Sequence, residues 1–521
     1  MPDEKPRVKH GSEHSLPGGV NEDIVALPAT DSDSIRGEKS NPATSTSGDR
    51  ALVLMDLENG LVGWENAEDP ENPQNWTLKK KWMLMFWMGS MSTFSPMMSS
   101  LCAPGTSLTL DEYGISSRTL GTLMISIFVL GYAVGPLFLA PLSEMYGRVP
   151  VINASSAFFN LFILGCSFAP NMPSLIIMRL LSGIGGSAVM TIVSAVIGDA
   201  FRVHERAAVS SVVIGTPSLA PIVGPIAGGF ISQHLGWRWA YWILLMASGP
   251  LNIFMIFLMK ESNHPTILQK KTNRLKKELG RDDLRSQLEM PLPPRAILTR
   301  SIVRPIKFLF RSPIAFLISL YVSIVYGTLY LLFTSIPDVF QDTYDFGIQY
   351  TGLAYLGLGL GMFIALGFIM KYNDRTVVCL RERNGGVFEP EMRLATTIYF
   401  APFMPVSLFI YGWTARQNIH WIVPCLSFIL YGFGILGIFV PCQTYMVDAF
   451  LTTAASAVAA LVCLRSVFGA FLPLIGPKVY ESLGMGWGNS LLGFVTIAVT
   501  PVPFMFLKWG GYIRKKYPVD V

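Results

Sequence analysis

Long apolar runs, separated by short charged turns, dominate the chain beyond residue 80. They fall near 81–103, 119–142, 150–169, 174–198, 207–232, 238–259, 313–336, 350–371, 394–414, 419–446, 455–477 and 488–508. A helix of about 20 mostly apolar residues crosses a hydrocarbon core of roughly 30 Å, so the pattern predicts about twelve membrane spans. A transmembrane barrel would instead show alternating segments of about ten residues, and these runs are apolar on every face. The expected fold class is an all-α integral membrane protein with twelve transmembrane helices in two six-helix bundles.

The spans divide six and six about a long basic connection. The expected organisation is a cytoplasmic, largely disordered segment 1–78, an N-terminal bundle 79–259, a cytoplasmic linker 260–311, a C-terminal bundle 312–508 and a cytoplasmic tail 509–521. The first fifty residues are polar and rich in Ser, Thr, Gly and Pro, which favours disorder. They lack the apolar core of a cleaved signal, so the first span is expected to direct insertion. The linker carries Pro291-Leu292-Pro293-Pro294 and an amphipathic piece around Asn273 to Leu288, read as a short interfacial helix.

Basic residues cluster in alternate loops: Lys79-Lys80-Lys81, Arg148, Arg202 with Arg206, the 260–311 connection, the 371–393 loop and Arg514-Lys515-Lys516. Asp111, Glu112, Asp338, Asp342 and Asp345 fall in the other loops. The positive-inside rule then places both termini in the cytoplasm. Asn75 and Asn153, which head Asn-x-Ser/Thr triplets, would lie on that side and stay unglycosylated.

Composition agrees. The 521 residues are 51% hydrophobic and 14% charged, with mean hydropathy +0.44, too apolar for a soluble protein. The net charge of +5 follows from the loop bias, so no nucleic-acid partner is expected. Cys102, Cys166, Cys379, Cys425, Cys442 and Cys463 lack paired spacing and read as apolar fillers. The scattered histidines, His10, His14, His204, His234, His264 and His420, offer no metal set. No G-x-x-x-x-G-K-[ST] loop is present for a nucleotide-driven pump. These absences point to a secondary transporter, without enzymatic activity or cofactor, over an enzyme; a solute-sensing receptor on the same scaffold is the alternative of another class.

Charges at the ends of spans need partners, because a charge in hydrocarbon costs a few kcal/mol. Residues 135–151, GPLFLAPLSEMYGRVPV, join the second and third spans through Glu144, Gly147 and Arg148. The turn resembles the G-x-x-x-D-R-x-G-R loop of the major facilitator superfamily, with Glu144 for the Asp, Met145 for the following base and Ala140 for a glycine. The halves also echo each other. Gly198-Asp199-Ala200-Phe201 ends the fourth span, Val447-Asp448-Ala449-Phe450 ends the tenth, and Asn373-Asp374-Arg375 follows the eighth. Parallel repeats of this kind place the substrate site between the halves. The inner gate is expected to comprise Arg148 paired with Asp199 and Arg375 paired with Asp448, with Glu144, Gly147 and Asp374 beside them. The alternative is that these are interfacial charges that set topology.

The fifth span carries Gly215, Gly224-Pro225 and Gly228-Gly229. This resembles only in part the superfamily's antiporter motif G-x8-G-x3-G-P-x-x-G-G, with Ala220 in place of the middle glycine and Ser211, four residues before Gly215, in place of the first; plain helix packing would use the same residues. Residues 69–76 before the first span, 261–280 after the sixth, 390–394 before the ninth, and Tyr445-Met446-Val447-Asp448 with Ala454-Ala455-Ser456-Ala457 look like the fungal twelve-span drug:proton antiporters. That resemblance implies a monomeric exporter of drugs, toxins or secondary metabolites, driven by the proton gradient. Its membrane would be the plasma membrane, or alternatively that of the vacuole. Uptake of a nutrient or metabolite is the rival direction.

In such a fold the first, fourth, seventh, tenth and eleventh spans offer Trp87, Met91, Met98, Arg179, Tyr326, Tyr330, Gln443, Tyr445 and Arg465 to a central cavity. Methionine and aromatic surfaces adapt to apolar ligands. Periodicity does not say which of them face it, because the spans are apolar all round. Arg179 resembles the arginine of the superfamily's R-x-x-x-G motif, implicated in proton coupling or cavity polarity; snorkelling to the interface is the alternative. No Asp or Glu is read in the middle of a span. That favours a neutral or anionic lipophilic cargo over a polyamine and leaves the coupling group unassigned.

Overall fold

Proline, glycine and asparagine set where the long helices start and stop in the computed structural model, which describes residues 54–288, 294–450 and 453–517. The first half contains α1 (Leu78–Leu101), a short α2 (Thr106–Glu112), α3 (Arg118–Tyr146), α4 (Arg148–Ser167), α5 (Met172–Ala200), α6 (Val203–Leu235) and α7 (Trp237–Leu258). Gly147 and Gly236, at φ 102° and 92°, turn the chain between α3 and α4 and between α6 and α7. Asn171 caps α5 by accepting from the backbone N–H of Ser174, and Pro173 occupies its first turn.

The connection holds α8 (His264–Leu279) and α9 (Pro294–Arg311). The second half contains α10 (Pro313–Tyr344), then α11 (Ile348–Thr351), α12 (Tyr355–Phe368) and α13 (Asp374–Arg383), which run end to end, then α14 (Leu394–Phe400) and α15 (Phe403–Thr414), α16 (Ile422–Ala449), α17 (Ala454–Val499) and α18 (Pro501–Lys516). Nine helical segments among the described residues are long and apolar enough to cross a membrane. One of them, Ala454–Lys516, spans 63 residues, about 95 Å at 1.5 Å per residue and far more than one crossing needs. Gly484 breaks it at φ 72°. Its two ends return to one face: α17 begins beside Asp448, Arg393 pairs with Asp448, and Arg514 of α18 pairs with the neighbouring Glu391. α1 and α6 add two further long helices, packed against each other and against the rest of the first half.

Two large packed clusters form the core. One gathers α1 to α7 around Phe128, Phe159, Val189 and Tyr241, the other α10 to α18 around Tyr321, Phe333, Tyr431 and Tyr445. Large apolar side chains face outward, with Phe257 80% and Tyr399 71% exposed, as a lipid-facing surface requires.

The polar end that carries α8 and the starts of α1 and α10 is called basal here, and the opposite end distal. At the basal end three readings of the sequence are corrected. Residues 54–76 are ordered: Leu61–Val62 (β1) pairs in parallel with Arg285–Ser286 (β2), and Val62 and Trp64 are buried. The expected disorder of 1–53 lies outside the described residues, as do Pro291 to Pro293. The linker helix begins earlier than 273–288, at Asn263, whose side chain caps it, and Gly280 in left-handed conformation ends it. Its Leu268, Lys271 and Thr272 are buried against the N-terminal segment, so this helix packs on protein. Finally, Asp338 and Asp342 lie inside α10, because the polar residues that end the apolar run do not end the helix.

Candidate functional site

The α3–α4 turn is held from several sides. Arg148 opens α4; its Nε donates to Asp199 Oδ2 at 3.1 Å and its Nη1 to Ser143 Oγ at 2.8 Å. Both partners are buried by α3 and the end of α5. Glu261, just after α7, accepts from the backbone N–H groups of Arg148 at 2.9 Å and Val149 at 3.1 Å, so its charge satisfies free donors at the N-terminus of α4. Asn263 donates to the carbonyls of Ser143 and Glu144 at the end of α3, and His264 Nε2 lies 2.9 Å from the carbonyl of Asp199. Gly147 combines a positive φ with a close approach: a β-carbon there would meet Glu261 Oε2 at 2.5 Å. Glu144 is exposed.

The second half repeats this geometry with a different arginine. Arg393, immediately before α14, donates from Nε to Asp448 Oδ2 at 2.9 Å and from Nη1 to Asp374 Oδ1 at 3.0 Å. The expected Arg375–Asp448 pair is therefore corrected. The eighth span does not stop at Asn373; it continues as α13 to Arg383, which leaves Arg375 exposed on a helix face while the returning loop brings Arg393 to Asp448. Asn373 is buried and hydrogen-bonds Thr396.

The glycine–proline stretch lies in α6, with Gly215 nearer its start. Pro225 has no N–H, so the carbonyl of Pro221 loses its helical donor. Ser100 of α1 supplies one, at 2.7 Å. Gly224 and Gly228 face Met97 to Leu101 of α1 so closely that β-carbons would sit 2.7 Å from Met97 O and 1.8 Å from Leu101 O. Gly229 points the other way, towards Ile348 and Gln349 of the second half. This stretch thus packs one helix against its own bundle and the opposite one at once.

Arg179 is fully enclosed, not snorkelled. It donates to Tyr241 Oη at 3.1 Å and to the carbonyls of Ser99 at 3.1 Å and Met98 at 3.5 Å. Four other cavity candidates are placed elsewhere. Met91 and Met98 fill the first core; Tyr445 fills the second, on the face of α16 opposite Gln443; and Trp87 stacks on Phe254 at 5.8 Å, towards the bundle exterior. Packing alone chose these faces, since the helices offered apolar residues on all sides. Tyr326, Tyr330 and Arg465 come together with Phe439, and Gln443 lies one turn along α16 from Phe439 on the same face.

Contacts between the halves are unequal. At the distal end Arg118 pairs with Asp342 at 3.0 Å, Ser107 bonds Gln341 at 3.2 Å and His234 lies 2.9 Å from Gln349. Further in, Ser99 Oγ and Tyr330 Oη are 3.0 Å apart. The Arg148–Asp199, Arg393–Asp374 and Arg393–Asp448 pairs at the basal end each join residues of one half only.

The profile of the Major Facilitator Superfamily matches residues 83–473. The chain belongs to that superfamily. It is 43% identical over 454 residues to the MFS-type transporter penM of Penicillium rubens, which covers 87% of this chain and 89% of penM. It is 40% identical over 455 residues to the efflux pump radE of Floropilus chiversii, 87% of this chain and 85% of radE. The partially occluded, inward open structure of the xylose transporter XylE from E. coli shares the fold at TM-score 0.58 and 15% identity, over 82% of this chain and 98% of XylE. The protein is a multi-pass membrane transporter related to fungal transporters.

In this major facilitator transporter the most informative residues that the sequence left unassigned are Glu261, Asn263, His264 and Arg393. The signal for Arg393 was its position, one residue before a span, as Arg148 is placed in the first half. Glu261 opens the 261–280 segment that carries the family resemblance, but its role gave no signal in the sequence, because it depends on α7 returning to the α3–α4 turn.

Proposed function

We propose that this transporter exports a small lipophilic compound, a drug, toxin or secondary metabolite, by alternating access in exchange for protons. The observation that carries alternating access is the asymmetry of the interface: hydrogen bonds and an ion pair join the halves distally, while the basal pairs each brace one half. Such an arrangement fits a distally closed state, with the basal end facing the cytoplasm and the plasma membrane as its address. Export is supported by the relationship to a protein named an efflux pump and by the glycine–proline packing of α6. Asp338 is the proposed proton carrier. It is a half-buried carboxylate well inside α10, one turn from the Asp342 latch.

The deciding experiment is efflux from cells that express the chain, with and without an uncoupler. Efflux that stops when the gradient is dissipated, and that Asp338→Asn also uncouples, supports the reading. Persistent downhill movement under the uncoupler would indicate a facilitator, and net accumulation in the cell would indicate uptake.

A further inference from the structure

Among the described residues, Arg179 and Arg465 both lie within the bundles, and they are accommodated differently. Arg179 finds three oxygen acceptors and a fully enclosed site. Arg465 takes part in none of the ion pairs or hydrogen bonds among the described residues; its Nε, like that of Arg179, is buried without an acceptor, but its other nitrogens have none of the acceptors that Arg179 finds. Its guanidinium carbon lies 5.1 Å from the centre of the Tyr326 ring and 5.7 Å from that of Phe439, contacts that soften a cation's desolvation without neutralising it. Yet the side chain is only half-buried. An interior cation that keeps access and lacks a carboxylate is an incomplete ion pair.

Its surroundings specify what would complete it. The two rings meet edge to face at 5.6 Å, and Tyr330 packs on Tyr326 at 5.0 Å. On the distal side, the Ser99–Tyr330 bond ties the two halves. Cys463, two residues before Arg465 on α17, donates to the carbonyl of Ala133 on α3 at 3.2 Å, which sets this part of α17 against the opposite bundle. One cation beside flat apolar rings, at the interface of two bundles, fits a ligand with one acidic group on an apolar, conjugated body.

We infer that Arg465, framed by Tyr326 and Phe439, is an anion subsite that binds the carboxylate or enolate oxygen of a small lipophilic acid. The planar guanidinium offers paired donors that match a carboxylate's two oxygens. The body of the ligand lies against the two rings, and Gln443 stands one turn towards the basal end to meet a second polar group. This deepens the reading of a lipophilic cargo and rests on it.

The test uses the full chain in lipid nanodiscs, titrated calorimetrically at neutral pH with naphthoate and with naphthamide, which share one ring system and differ in charge. A charge-assisted pair predicts naphthoate binding about ten-fold more tightly than naphthamide. Arg465→Gln should abolish that preference by weakening naphthoate far more than naphthamide, Arg465→Lys should restore part of it, and Phe439→Ala should weaken both probes. Equal binding of the two probes by the unaltered chain, binding of neither, or a preference that survives Arg465→Gln overturns the subsite. Failure of the export reading is separate: it would appear as absent or inward transport in cells while the Arg465-dependent preference for naphthoate persists.

Discussion

Arg393 Nε lies 2.9 Å from Asp448 Oδ2, the counterpart in the second half of the 3.1 Å contact between Arg148 Nε and Asp199 Oδ2. Each arginine stands at the start of one span and each aspartate at the end of the following span, so both halves carry the same brace. Arg393 also holds Asp374 at 3.0 Å, while Arg148 donates from Nη1 to Ser143 Oγ at 2.8 Å.

Transport should therefore depend on Arg393 and not on Arg375. Arg393→Gln is expected to cut efflux at least about ten-fold, the cost of leaving a half-buried Asp448 unpaired. Arg375→Gln, on an exposed face of α13, should change it little. Vesicle efflux normalised to surface expression distinguishes them, and equal loss in both variants would count against the brace.

Glu261 is expected to matter for stability more than its position in a loop suggests. It accepts four backbone N–H groups, from Arg148, Val149, Ser262 and Asn263. Glu261→Ala should destabilise the basal end by about 2–3 kcal/mol, as lost hydrogen bonds to a charged group do. Gly147→Ala should be as harmful, because it adds a β-carbon at φ 102° against the same carboxylate. Thermal unfolding in detergent would register both, and an unchanged midpoint for Glu261→Ala would remove the proposed cap.

The α1–α6 contact should tolerate no side chain at Gly228. Gly228→Ala places a β-carbon 1.8 Å from Leu101 O, so the backbones must separate. Loss of folded protein on size exclusion is expected. Ser100→Ala is milder: it orphans the Pro221 carbonyl at about 1–3 kcal/mol and leaves a folded, less stable transporter.

The N-terminal segment should stay docked across the neutral range and loosen at both extremes. Burial alone would raise the Asp69 carboxyl, but the backbone N–H groups of Glu65 and Glu71, with Lys271, hold it below its ordinary 3.8. Its contribution is therefore present above that value and lost as pH falls through the lower folded one. Burial alone would lower Lys271, but its bonds to Asp69 and Glu65, both at 3.0 Å, hold it above its ordinary 10.5. That contribution is present below 10.5 and lost as pH rises through the higher folded value. Hydrogen exchange of residues 54–76 checks this: protection should be flat from about pH 5 to 9 once intrinsic rates are removed, and Asp69→Asn should lower it throughout.

The sequence by itself determined that the chain is helical and crosses a membrane, because span length and apolarity are local properties set by bilayer thickness. It also determined the family, through the turn at Glu144 to Arg148 and the glycine–proline stretch, and it contained Arg148 and Asp199 at positions that pair. It did not determine which face of each helix turns inward, since helices apolar all round have no amphipathic signal. Hence Trp87 packs on the edge of the first core against Phe254, Met98 and Tyr445 sit in the cores, and Tyr326, Tyr330 and Arg465 gather where the halves meet. The tertiary structure decided those faces, and it decided the partner of Asp448. Sequence proximity favoured Arg375, but the eighth span continues as a helix past it, and only the return of the chain brings Arg393 within hydrogen-bonding distance.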